Sequence, residues 1–284
     1  MSATHITFFA GVGLQMAAAL ITIIAYARRG ANDAPVYNLA RYVSIAGAAS
    51  LVVLFTLRWL AFGLIPLTSG VESLALVVLM VAVNAAVITA NPSRRTLAVV
   101  YFPALGALSI VALLLGTADL DVAPKQLSPL LLLLHVVPAF MAYALFFVAM
   151  LTASVYLFQT RRLKERRTTG IFQQLPSLAN LDSVLFGLIR TGYPLFILTL
   201  VLGFYWAWVD RELLGRLWWA SPKIVLSFCM VVLYASCYHG RSRGSLRGPK
   251  LAMLLAAGFG LLMSAYLLLE LSTLTNYNFW GDVQ

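Results

Sequence analysis

Long apolar runs, each broken by a short polar stretch, recur along almost the whole chain. They fall at residues 6–27, 38–62, 70–90, 96–116, 128–159, 184–209, 221–238 and 251–271. A bilayer core of about 30 Å is crossed by about twenty apolar residues in an α-helix, so each run is long enough to span it. Lipid offers no hydrogen bonds to a backbone, which makes each run a helix rather than an isolated strand. The pattern predicts an all-α, polytopic membrane protein with eight transmembrane helices. No long polar segment interrupts the series, and residues 1–284 read as one transmembrane domain. The first run has no basic region before it and is followed by Arg28 and Arg29, the reverse of a secretory signal peptide, so it reads as a retained helix.

Composition and charge sharpen this picture. Hydrophobic residues make up 61% of the 284, and charged residues only 11%. A soluble core of this size cannot hide so many continuous apolar runs. The net charge of +10 points to nucleic acid in a soluble protein, but here the cations cluster at the ends of spans, where they face anionic lipid headgroups. All but six of the lysines and arginines lie in or beside alternate connections, with Arg161, Arg162, Lys164, Arg166 and Arg167 as the densest group. The six exceptions are Lys125, Arg211, Arg216 and Lys223 on the other side and Arg58 and Arg190 within spans. The positive-inside bias puts both termini on the non-cytoplasmic side. Cys229 and Cys237 share one span at a spacing unlike a redox or metal motif, and read as small core residues.

Few side chains in the spans can carry chemistry. His135 opens the fifth span at the non-cytoplasmic side, above a helical row of Ala139, Ala142, Ala149 and Ala153. Two readings stand: an imidazole ligating iron through one nitrogen while the other is hydrogen-bonded, or an interfacial histidine held by a backbone carbonyl. The alanine row serves either close helix packing or a flat ligand. Arg58 and Glu72 face each other across the second hairpin, as an ion pair or with Arg58 holding an anionic ligand. Trp206, Trp208, Trp218 and Trp219 place four of the six tryptophans at the outer interface, as an anchoring belt or an aromatic platform. His239 closes the seventh span at the cytoplasmic side, and His5 opens the first. Asn84 is the one strong midspan amide and reads as packing glue, which speaks against a transporter with a polar midplane site. No hydrolase or nucleotide motif is present.

Taken in order, these residues resemble a family. His135-Val136, Ala142-Tyr143, Ala149, Ala153, Tyr156-Leu157, Gln159 and Leu163-Lys164 are similar to the central helix of the cytochrome c assembly proteins, the CcsA/CcmC/HemX-like haem-handling group. Arg58-Trp59, Gly63, Pro66-Leu67, Glu72-Ser73, Gly203, Trp206, Trp219, Pro222-Lys223, Tyr238-His239 and Arg241 extend the resemblance from the second span to the eighth. It implies haem, here haem b, held near the outer surface beside the tryptophan loop. His135 then matches the first outer histidine and its iron ligand, and His239 an intramembrane histidine. Trp206, Trp208, Trp218 and Trp219 surround the porphyrin, and Arg58 pairs a propionate.

The departures bear on function. Leu64 stands where a histidine is common, residues 269–273 lack a second outer histidine, and Ser221-Pro222-Lys223-Ile224 replaces an acidic Asp-Pro-Lys-Glu run. A second axial ligand has to come from Met, water, His5 or a partner subunit. The pattern is closer to the short HemX and YpjD-like branch. That implies a non-enzymatic, accessory protein of the bacterial inner membrane, acting in cytochrome c biogenesis or haem supply alongside cytochrome-assembly or respiratory membrane proteins. The alternative is a scaffold that keeps the fold without haem and docks a partner complex.

Overall fold

A computed structural model describes residues 2–29, 34–62, 70–114, 129–166, 175–209, 219 and 222–271. These residues form eight long α-helices and no strand. They are α1 (Ala3–Arg29), α2 (Ala34–Phe62), α3 (Gly70–Ala90), α4 (Ala98–Leu114), α5 (Pro129–Lys164), α6 (Leu178–Val209), α7 (Pro222–Ser242) and α8 (Pro249–Leu271). Seven stretches among the described residues are long and apolar enough to cross a membrane, the fourth being α4 with the short helical turn before it (Pro92–Leu114), and α8 adds a shorter apolar stretch within its 23 residues. The expected eight-span, all-α membrane architecture is what the chain adopts.

Several helices, among them α1, α2, α5 and α6, run past their apolar windows because a helix continues through the interface after its hydrophobic stretch ends. α6 starts at Leu178, six residues before the apolar run, where Ser177 caps it: its Oγ accepts from the Asn180 amide at 3.3 Å. A 3₁₀ turn, Pro92–Leu97, precedes α4, with the Asn91 side chain accepting from the Ser93 amide at 3.0 Å. Pro103, Pro138 and Pro194 lie inside α4, α5 and α6. In a membrane bundle such prolines are tolerated because neighbouring helices re-satisfy the freed carbonyls.

Each helix packs on the next, and the chain closes on itself twice. α1 to α4 form one ring, α4 returning to α1, and α5 to α8 form another, α8 returning to α5. α3 against α5 joins the two rings, and α5–α6 and α1–α2 are the two most extensive contacts among the described residues. Up-and-down packing gathers the basic helix ends at one end of the bundle. There Arg241 pairs with Asp182 at 2.5 Å, Arg94 donates to the Ser183 hydroxyl at 3.3 Å, and Gln159 donates to the Pro176 carbonyl at 3.0 Å. Arg241 also lies over Phe186, 5.2 Å from the ring centre. The α7–α8 turn reverses through Gly244 and Gly248, with φ +78 and +65, a conformation that costs a residue with a Cβ.

Several buried polar groups are paired across helices, while others, such as Thr22, Thr89 and Ser109, bond to carbonyls of their own helix. Gln15 and Ser44 exchange hydrogen bonds between α1 and α2, Gln15 donating to the Ser44 carbonyl at 2.9 Å and the Ser44 hydroxyl to Gln15 Oε1 at 2.7 Å. Tyr101 and Thr152 join α4 to α5 at 2.6 Å. Asn84 donates to the Met80 carbonyl and approaches Met141 Sδ on α5, the packing role expected of it. Cys237 is buried but Cys229 is exposed on the outer side of α7, so only one of the two cysteines is a core residue.

At the end opposite the basic cluster, Arg58 of α2 and Glu72 of α3 form an ion pair, each 1% exposed. Glu72 lies in the first turn of α3, where the helix dipole favours a carboxylate, and the Arg58 guanidinium stands over Phe62. Removing one partner strands the other charge in a low-dielectric setting. Arg58→Ala is therefore expected to cost about 3–5 kcal/mol of stability, and the double change Arg58→Met with Glu72→Leu far less. Denaturant unfolding of the purified variants in one detergent checks the order; a double variant weaker than the single one contradicts it.

Candidate functional site

The α5–α6 seam brings together residues that are 64 or more positions apart. His135 lies in the second turn of α5, and its Nδ1 is 3.0 Å from the carbonyl oxygen of Thr199 on α6. A carbonyl can only accept, so Nδ1 carries the proton and Nε2 presents its lone pair. Nε2 makes no hydrogen bond among the described residues. The imidazole is half-buried, and Trp206 meets it edge to face, ring centres 6.2 Å apart at 88°.

Gly203 explains how the ring gets so close. A Cβ built on Gly203 falls 2.6 Å from His135 Cε1 and 3.1 Å from Nδ1. The imidazole therefore occupies the space that any side chain at 203 requires. Thr199, Gly203 and Trp206 succeed one another at three-and-four spacing, which puts them on the same side of α6. Thr199 is 5% exposed, and its hydroxyl is buried with no hydrogen-bond partner among the described residues.

The other sequence candidates distribute around the molecule. Trp208 ends α6, half exposed and tilted toward Tyr205 with centres 6.5 Å apart. Trp219 is 57% exposed, and Trp218 lies outside the described residues. Of the two expectations for Arg58, the ion pair with Glu72 is the arrangement present. His239 stands at the basic end, one bundle length from His135, edge-on to Tyr193 at 6.2 Å and Tyr238 at 5.1 Å. It borders an open groove on the outside of α7 with Val232, Ser236 and Arg243. The two histidines therefore cannot serve one centre. His5 is at the same end as His135, but on α1, and its Nδ1 is 2.5 Å from the Ser2 hydroxyl.

The row Ala139, Ala142, Ala149 and Ala153 is buried by helix packing. Of the two uses open to it, close helix approach is the one observed. Thr199 was not a sequence candidate at all, because its contribution is a backbone carbonyl. Gly203 was visible only as part of a motif. Among the described residues no three metal-ligating side chains converge, so multidentate metal binding by side chains has no set of donors there. A single imidazole with one nitrogen fixed and the other open does fit one axial position on a haem iron. The open lone pair, the glycine cradle and the aromatic edge are the features that meet that requirement.

The edge contact is measurable by a double-mutant cycle. His135→Ala and Trp206→Ala are expected to show a coupling of about 1 kcal/mol in unfolding free energy. Strict additivity excludes the contact.

Comparisons with known proteins agree on a family. The profile described as "Cytochrome C assembly protein" matches residues 10–275. Protein HemX of Bacillus subtilis (strain 168) is 31% identical over 144 residues, 51% of this chain and 51% of that protein. Protein HemX of Brevibacillus brevis is 28% identical over 134 residues, 47% of this chain and 48% of that protein. The chain thus spans about half the length of these HemX relatives. Cytochrome c biogenesis protein CcsA of Guillardia theta is 22% identical over 246 residues, 79% of each chain.

Proposed function

The chain belongs to the cytochrome c assembly protein family, and on that premise we propose that it is a haem-handling membrane protein acting in cytochrome c biogenesis or haem supply. The observation that carries this reading is the state of His135: Nδ1–H bonded to the Thr199 carbonyl, with Nε2 making no hydrogen bond among the described residues. A histidine that ligates iron is held in this way, its second nitrogen oriented by a carbonyl or carboxylate.

In this reading His135 Nε2 would donate to the haem iron, with Trp206 packed beside the ring and Trp208 and Trp219 forming the aromatic outer rim. The cofactor, taken as haem b, supplies the iron and the anionic propionates. The chain's own contribution is to hold one axial position and to keep the imidazole from turning. Arg58 stays with Glu72, where it fixes the α2–α3 hairpin at the same end of the bundle. With Leu64 and residues 269–273 offering no further histidine, the second ligand would come from Met, water, His5 or a partner subunit, which suits an accessory role rather than a complete lyase. The basic end faces the cytoplasm and the His135 end the outer side of a bacterial inner membrane. Other cytochrome-assembly proteins are the natural partners.

Absorption spectra of the protein purified from its native membrane, oxidised and dithionite-reduced, test the reading. A Soret band is expected in the wild type, or after haem loading, and its loss in His135→Ala. No band after loading, or an identical band in the variant, overturns the assignment.

A further inference from the structure

We propose that the Thr199–Gly203 turn of α6 is the positioning element of the site, setting His135 as a strong Nε2 donor that favours ferric over ferrous haem. The proposal rests on His135 being the iron ligand. Three observations support the positioning itself. The Thr199 carbonyl fixes which nitrogen bears the proton. Gly203 has no side chain where the imidazole lies, since a Cβ falls 2.6 Å from Cε1. Trp206, one turn further on, closes the ring's edge.

The three act as one unit because they share a helix face. In an α-helix the Thr199 carbonyl also takes the amide of the residue four ahead, which is Gly203. The oxygen has two lone pairs, so it can accept from both the helix and His135. A side chain at 203 lies over this oxygen and blocks the second approach. Gly203 is thus the gate through which the imidazole reaches its carbonyl. A hydrogen bond from Nδ1–H to a carbonyl raises the electron density at Nε2, and a richer donor stabilises the more positive iron.

The test compares Gly203→Ala and His135→Ala with the wild type in the same detergent, reading haem affinity and the reduction potential of the bound haem. Gly203→Ala is expected to weaken haem affinity by about ten-fold and to raise the potential. His135→Ala is expected to abolish the band. If His135→Ala loses haem while Gly203→Ala keeps wild-type affinity and potential, the positioning role fails alone. If His135→Ala keeps both, the ligand assignment fails and takes the proposal with it.

A second measurement does not depend on how Gly203→Ala folds. In His135→Gly, imidazole and 4-methylimidazole both retain an N–H for the Thr199 carbonyl, whereas 1-methylimidazole, when it ligates iron, has none. The first two are expected to restore the Soret band at about ten-fold lower concentration than the third. Equal recovery with 1-methylimidazole and 4-methylimidazole overturns the proposal.

Discussion

Lipid provides no hydrogen bonds, and nearly every polar detail of this molecule is a result of that constraint. The backbone satisfies itself by forming helices. Side chains that enter the spans turn to their own helix's carbonyls or to each other across helix pairs: Gln15 with Ser44, Tyr101 with Thr152, Arg58 with Glu72. The ion pair is the extreme case. Two charges are placed where either alone is costly, and the pairing of an α2 end with an α3 start sets the hairpin's register. At the basic end the constraint relaxes because water and headgroups are near. Arg241 keeps Asp182 and Phe186 as partners, while Arg161 and Glu165 are solvated and contribute little.

Against this background His135 is half satisfied, beside a Thr199 hydroxyl that is buried without a partner among the described residues. Its Nδ1 is bonded to α6 and its Nε2 is not bonded among the described residues, although the surrounding seam is, with α1–α2, one of the two most extensive helix contacts there. A histidine serving packing alone gains nothing from an unshared lone pair on a half-buried ring. His239 differs in kind. It is exposed, at a helix C-terminus and beside arginines, a setting that an imidazole tolerates without any ligand.

The spans and the asymmetry of charge were legible in the sequence because both are local properties, set by the length of each apolar run and by the charges flanking it. The Arg58–Glu72 pair was legible for a related reason: a short hairpin leaves two facing positions few alternatives. The extra turns of α6 before residue 184 were not, since Ser177 begins that helix by a cap rather than by hydropathy. The exposed side of α7 that places Cys229 outward depends on which helices cover it, and periodicity within α7 does not say. The site divides along the same line. His135 and Trp206 are conspicuous residue types, so the sequence picked them out. Thr199 acts through its backbone and Gly203 through an absent side chain, and both depend on the register of α5 against α6, which no single-helix pattern encodes.

The proposed reading also gives the missing histidines a physical sense. Two protein imidazoles hold iron at both axial positions and make release slow, since both bonds must break or exchange. One such imidazole leaves the second position to a Met, to His5, to water or to a donor from another protein. A chain that holds its ligand from one side can present the other side, and the exposed Trp208 and Trp219 at that end provide apolar surface against which a second protein can seat. The rigidity of the single donor then matters more. With no opposing imidazole to define the axis, the orientation of His135 is set by the chain alone, through one carbonyl, one glycine and the edge of one indole.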